Sequence, residues 1–434
     1  MQFRQLMLTV FALAMAGAAP VPAQDSLAPL AGDSVLQSLV AEALEHNPGL
    51  AGRQAAVRAA ELRVRPAGAL PDPMLTTGVM DVLLPNFNFN QSDFTEVDAE
   101  LSQAIPWPGT LGARTKVAQA SATGARAEAG EVRRDVIAAM AAAYYRLGYA
   151  VTELETVRRQ RELLEAAVQL STTRYATGLA PQSDPLQAKL ARDRLRSEEF
   201  ALEGERAAAL AAVNALRNRP PTEPVPLRPF DPAAVRTAAA PLPPTDSLVA
   251  AGLAVHPRLA ARRAAVEQAT QTIRVERFDG RPDFTFTVRY GYRPPAFAFK
   301  FPDFFSAFVG VRLPIWAGRK QHRLADAARS DSSAAASGLH DAAAQLGRDV
   351  TETAARVEAA RQRLVLLVDG VLPTARGTVE SVLRSYQVGR TEFLTLLSVE
   401  DARYRAELEA AAVAADYQTQ LVMLRQLTAE EREP

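Results

Sequence analysis

The residues of this chain that could do chemistry on a solute are charged side chains set two apart. Glu96, Asp98 and Glu100 occupy alternate positions, and Arg289, Arg293 and Arg312 stand in two later stretches with the same alternation. In an extended segment such residues share one face, which gives a hydrated wall that ions can pass, not a cleft that transforms a substrate. No catalytic constellation accompanies them. His46, His256, His322 and His340 are scattered, with no pair at metal-ligand spacing beside carboxylates. There is no phosphate-cradling glycine loop and no serine nucleophile elbow. Zero cysteines remove disulfides, thiol chemistry, thiolate metal sites and an N-terminal lipid-modified cysteine. Of the seven methionines, Met7 and Met15 join the initiator near the N-terminus, and the set forms no soft-metal cluster. The expectation is a protein that is not an enzyme and has no cofactor or bound metal.

The elements that position those charges are strands. Phe284, Phe286, Val288, Tyr290 and Tyr292 alternate with Thr285, Thr287, Arg289, Gly291 and Arg293, a strict period of two. Phe305, Ala307, Val309, Val311 and Leu313 oppose Ser306, Gly310 and Arg312, with Phe308 breaking the polar side. In the first half, Val97, Ala99, Leu101 and Ile105 oppose Glu96, Asp98, Glu100 and Ser102. Segments of about ten residues with this pattern suit tilted strands crossing a bilayer, and they equally suit an amphipathic hairpin on a soluble core. On the membrane reading, Glu96, Asp98, Glu100, Arg289, Arg293 and Arg312 face a lumen, and their mixed charge makes a pore wall, not a filter. Four strands cannot close a barrel alone and an open edge cannot sit in lipid, so that reading requires oligomerisation. Three chains would supply twelve strands.

The strands belong to a unit present twice, about 210 residues apart. Leu44, Pro48, Leu50, Arg53, Ala56 and Val57 recur as Leu253, Pro257, Leu259, Arg262, Ala265 and Val266; Ile105-Pro106 recurs as Leu313-Pro314, and Tyr175-x-x-Gly178 as Tyr386-x-x-Gly389. Each half reads as helix, strand, loop, strand, very long helix, tight turn and returning helix. From Gly109 to about Tyr175 no proline interrupts a run rich in alanine, arginine, glutamate and leucine, which predicts a helix of roughly 100 Å. Its return runs from about Ser183 to Leu216. The second half predicts helices over Pro257 to about Phe278, Gly318 to Tyr386 with a kink at Pro373, and Thr391 to Leu427. The expected organisation is a first repeat over 24–217, a connector over 218–245 that holds nine of the 29 prolines and reads as extended, and a second repeat over 246–430.

Arg4, the apolar run Leu6 to Ala18 and Val21-Pro22-Ala23 have the pattern of a secretory signal peptide over residues 1–23. With 49 basic and 49 acidic residues, overall charge makes no electrostatic case for nucleic acid or for an anionic membrane surface.

With these features the chain resembles the TolC-type outer-membrane efflux factors of Gram-negative bacteria. The resemblance is carried by the duplicated unit, Asn47-Pro48-x-Leu50, Pro106-Trp107-Pro108-Gly109 and the two Tyr-x-x-Gly turns. It implies a mainly α fold with a membrane β-barrel. Each chain of a homotrimer would give long helices to a helical barrel and four strands to a twelve-stranded one. It further implies a gated duct through the outer membrane and periplasm, with a periplasmic adaptor and an inner-membrane transporter as partners. The stretch Pro71 to Leu84, with Leu101-Ser102-Gln103 and Ile105 to Gly109, is similar to the heavy-metal cation branch. Gate positions implied by the family fall on Thr395 and Ser398, which lack the usual carboxylates; Asp184, Glu392 and Asp401 could supply charge rings instead. Tyr386 matches a position that latches the closed tip, with Arg390 near enough to join it. The competing reading is a soluble periplasmic coiled-coil scaffold or adaptor.

Overall fold

A computed structural model describes residues 33–82, 94–228, 230–296 and 302–428. The signal expected over 1–23 lies outside the described residues, as do residues 83–93 and 297–301. In chain order the elements are α1 (Ser34–His46), α2 (Pro48–Leu62), α3 (Val64–Ala67), β1 (Met74–Met80), β2 (Glu96–Ile105), α4 (Thr110–Ala176), α5 (Ser183–Leu216), α6 (Pro232–Ala238), α7 (Thr245–Val255), α8 (Pro257–Asp279), β3 (Asp283–Tyr292), β4 (Phe304–Arg312), α9 (Gln321–Leu366), a π turn (Leu367–Val371), α10 (Leu372–Gln387) and α11 (Phe393–Thr428).

The uninterrupted helix α4 spans 67 residues. Its counterpart in the second half is divided. Pro373 lacks the N–H that would bond the carbonyl of Asp369, and its ring crowds that carbonyl. The helix widens by one residue to accommodate both, so that the Leu372 N–H bonds the Leu367 carbonyl. The hydroxyl of Thr374 donates to the Gly370 carbonyl at 2.8 Å. The expected kink thus takes the form of a π turn.

Three helices were not foreseen. Asp33 caps α1 by accepting from the backbone N–H groups of Val35 and Leu36 at 3.0 and 3.2 Å, and α7 is its counterpart ahead of α8. The connector, expected to be extended, contains α6, which starts with Asp231 as cap and Pro232 in its first turn. The connector is held by Asn214, whose buried amide donates to the carbonyls of Pro221 and Glu223.

The chain divides into two compact units. One gathers the described residues of Met1–Asn47, Asp135–Val255 and Leu346–Pro434. Its α4 and α5 pack through Leu154, Val157, Leu164, Leu195 and Leu202 with Tyr404 of α11. A neighbouring cluster of Leu364, Leu367, Leu372, Ala410 and Val413 receives Phe230 and Val235 from the connector. The other unit comprises Pro48–Arg134 and His256–Gln345. Its helices meet through small residues, as where Gly124 faces Ala264 and Gly130 faces Pro257, and it carries the whole sheet. That sheet is antiparallel in the order β1-β2-β3-β4.

Candidate functional site

Register decides which side chains share a face of the sheet. Leu75 pairs with Leu101, Leu101 with Val288, and Val288 with Ala307; Tyr290 pairs with both Ala99 and Phe305, and Phe286 with Val309. These residues form one apolar surface across all four strands. Phe286, Tyr290, Phe305 and Val309 on it are between 47% and 71% exposed, which no soluble core would leave uncovered. β1 and β4 have no further strand partner among the described residues.

The other face carries the sequence-derived charges. Glu100 pairs with Arg289 and Asp98 with Gly291. Arg289 forms an ion pair with Glu96 and lies 3.4 Å from Asp98, while Arg293 reaches the second oxygen of Glu96 at 3.9 Å. Both arginines stack on Phe304, at 5.8 and 5.0 Å from the ring centre. Phe304 lies flat across Gly291, where a Cβ would overlap the ring; glycine there permits the close approach. Glu100 is half-buried beside this group. Arg312 stands apart, at the end of β4, where it pairs with Asp283. The structure therefore brings five of the six charges into one layer, three carboxylates against two arginines.

The second set of candidates lies where the helices turn. Tyr-x-x-Gly is the spacing between two partners of a helix-ending hydrogen bond. The Gly178 N–H bonds the Tyr175 carbonyl at 3.0 Å and the Leu179 N–H bonds the Arg174 carbonyl at 2.8 Å. Gly389 and Arg390 repeat this with Tyr386 and Ser385. Both glycines have positive φ, 74° and 72°, the left-handed cap that favours glycine.

The two tyrosines then differ. Tyr175 is exposed whereas Tyr386 is buried among Val168, Ala188, Phe393 and Leu396. Arg174 lies over the Tyr386 ring at 4.8 Å, a partner that sequence reading missed. Arg390 is exposed, and Arg174 reaches the ring from the other hairpin. Burial raises the Tyr386 hydroxyl above the ordinary tyrosine range, Arg174 lowers it and the Asp184 charge raises it again. The hydroxyl is buried without a hydrogen-bond partner among the described residues.

Asp184 sits in the first turn of α5 and accepts from the Ser183 hydroxyl at 3.3 Å. Glu392 precedes α11 and its carbonyl accepts from the Leu396 N–H. Thr395 and Ser398 are exposed on α11, with the Ser398 hydroxyl donating to the Thr395 carbonyl. Asp401 pairs with Arg405 one turn on. Thr395, Ser398 and Asp401 thus share an outward stripe, and Tyr386 and Arg174 form a contact between hairpins, with the Asp184 charge near enough to act on the tyrosine hydroxyl.

A two-faced sheet with open edges, joined to long antiparallel helices, defines a membrane-channel fold class. The chain belongs to the outer membrane efflux protein family, whose model matches residues 39–219 and 248–430. It is of the TolC type. Similar solved structures include the outer-membrane channel OprN (18% identity, TM-score 0.78, 92% of this chain and 91% of that one). CusC, described with its transmembrane channel formation, is 15% identical with a TM-score of 0.80 over 92% and 93% of the chains. The open state of the Neisseria gonorrhoeae MtrE outer membrane channel is 19% identical with a TM-score of 0.75 over 91% and 89%. No curated protein sequence matches the chain.

Proposed function

We propose that this chain is one protomer of a homotrimeric exit duct of a tripartite efflux pump, after removal of residues 1–23. The observation that carries the proposal is the sheet with an exposed apolar face and two unpaired edges. Lipid satisfies the face, and neighbouring chains satisfy the edges by closing a twelve-stranded barrel. The charged layer of Glu96, Asp98, Glu100, Arg289 and Arg293 then lines the lumen, with Arg312 at its helix-side end.

The helices continue the duct through the periplasm to a tip where an adaptor docks and connects an inner-membrane transporter. Flow is passive and the tip gates it. Tyr386 with Arg174 and Asp184 holds one hairpin against the other, and Arg390, Glu392, Thr395, Ser398 and Asp401 line the approach. The similarity around Pro71 to Gly109 extends the proposal to heavy-metal cations as cargo, carried through without a fixed binding site.

Fractionation of the expressed chain with unheated gel migration tests this reading. An outer-membrane trimer that dissociates on heating is expected. A soluble periplasmic monomer would defeat the duct and favour the coiled-coil scaffold.

A further inference from the structure

All four strands meet the helices at one end of the sheet, and that end is chemically unlike the rest of the chain. The strand–helix junctions, residues 62–72, 105–116, 277–283 and 312–324, hold ten lysines and arginines against three aspartates, in a chain whose formal charge is zero. Arg114 pairs with Asp279 and Arg312 with Asp283. Arg63, Arg65, Arg319, Lys320 and Arg323 form no ion pair among the described residues. Along the helices arginines are commonly paired, as Arg158, Arg192 and Arg403 are. At the opposite end of the strands Glu96 and Asp98 neutralise Arg289.

Both tryptophans of the chain lie at this same end. Trp107 stacks on Phe284 under Arg281, and its backbone N–H donates to Asp283 at 3.1 Å. Trp316 has no such ring contact among the described residues: Leu313, Ile315 and Trp316 are 65%, 75% and 67% exposed. Val309 and Val311 carry the apolar face to the end of β4, and the exposed Leu313, Ile315 and Trp316 follow directly in the chain, where the Ile315 N–H turns back to the Leu313 carbonyl at 2.9 Å. The Trp316 carbonyl accepts the N–H groups of Arg319 and Lys320 at 3.0 and 3.1 Å, which sets the indole and the two cations one turn apart.

We propose that this rim is a binding site for anionic phospholipid headgroups in the leaflet on the helix side of the membrane. Resting on the duct reading above, the inference adds the chemistry of the lipid. Hydrocarbon covers the strand face, and Trp316 occupies the headgroup layer where amphipathic rings settle. Arg319 and Lys320 take the phosphate, their charges unspent on protein partners. A protein partner fits less well, because these exposed apolar residues follow directly in the chain from the strand whose apolar face lipid covers.

Native mass spectrometry of the full detergent-purified oligomer, with phosphatidylglycerol or phosphatidylethanolamine of matched chains, tests the site. Phosphatidylglycerol should be retained preferentially. Arg319→Gln with Lys320→Gln should weaken its retention roughly thirty-fold, from about 1 kcal/mol per basic residue at an anionic surface. Arg329→Gln with Arg384→Gln, on exposed helix surface, should leave it unchanged. Equal retention of the two lipids, indifference to the Arg319 and Lys320 changes, or preference for lipid A would overturn the inference. An oligomer that conducts in planar bilayers without headgroup preference defeats this inference alone, whereas a chain that never enters a bilayer defeats the duct reading and this inference with it.

Discussion

Glu153 and Glu42 are carboxylates whose environments push in opposite directions. Burial raises the Glu153 carboxyl above the ordinary range, and the charges of Glu205 and Glu198 add to this, against a hydrogen bond from Tyr149. A raised folded-state value means that the charged form is disfavoured in the fold. The favourable contribution exists below the unfolded value and is lost as pH rises through the folded one. Glu153→Gln should therefore raise the thermal midpoint at pH 7 and give no gain near pH 3.

Glu42 is lowered, first by the hydrogen bond from Arg217, against burial, and then by Arg219; the bonds are 2.6 and 2.7 Å. Its contribution exists above the unfolded value and is lost as pH falls. Glu42→Gln should lower the midpoint at pH 7, because the buried Arg217 loses its shortest ion pair and keeps only the longer one to Glu223 at 3.5 Å. Circular dichroism melts from pH 3 to 8 would read both, and equal signs at pH 7 would contradict the assignment. Neither environment was legible in the sequence. Glu42 meets Arg217 from the far end of α5, and Arg174 meets Tyr386 from another hairpin, so proximity in space has no local signature.

Elements were more legible, for reasons that differ between strands and helices. The period of two in β3 and β4 exposed both faces directly, and the Tyr-x-x-Gly pairs marked both helix ends because the cap bond itself spans three residues. Short helices escaped. Leu36, Leu39 and Ala43 do supply a buried helical face to α1, and Asp231-Pro232 is a proper start for α6, yet the proline-rich surroundings of α6 read as extended chain.

The strand assignment carries a direct expectation. Phe286→Lys puts an ammonium on the lipid-facing side opposite Val309, at a cost of about 2–4 kcal/mol near the bilayer midplane. Thr287→Lys, one position on and facing the other way, should assemble normally. The yield of heat-modifiable oligomer in membranes compares them, and equal loss for both would argue against the assigned faces. At the turns, Gly178→Ala and Gly389→Ala should each cost about 1–2 kcal/mol from the left-handed cap, read as lowered melting midpoints.

At the scale of the whole molecule, the unpaired edges dictate how copies associate. Four antiparallel strands leave β1 and β4 running in opposite directions, so β4 of one chain can meet β1 of the next in the same antiparallel ladder and an even-stranded ring closes without a change of pattern. The apolar face passes through Thr77 and Val79 on one edge and through Ala307 and Val309 on the other. A cysteine on each edge, on the same face, therefore comes within cross-strand reach of its counterpart only in the closed ring. The native chain has no cysteine to confuse the result. Thr77→Cys combined with Ala307→Cys, and separately with Val309→Cys, brackets the register between chains. Oxidised membranes should give dimers and trimers on a non-reducing gel with nothing larger, since a three-chain ring leaves no free edge. Monomers alone in both combinations would deny the edge contact, and a ladder running beyond the trimer would mean that the sheets add on without closing.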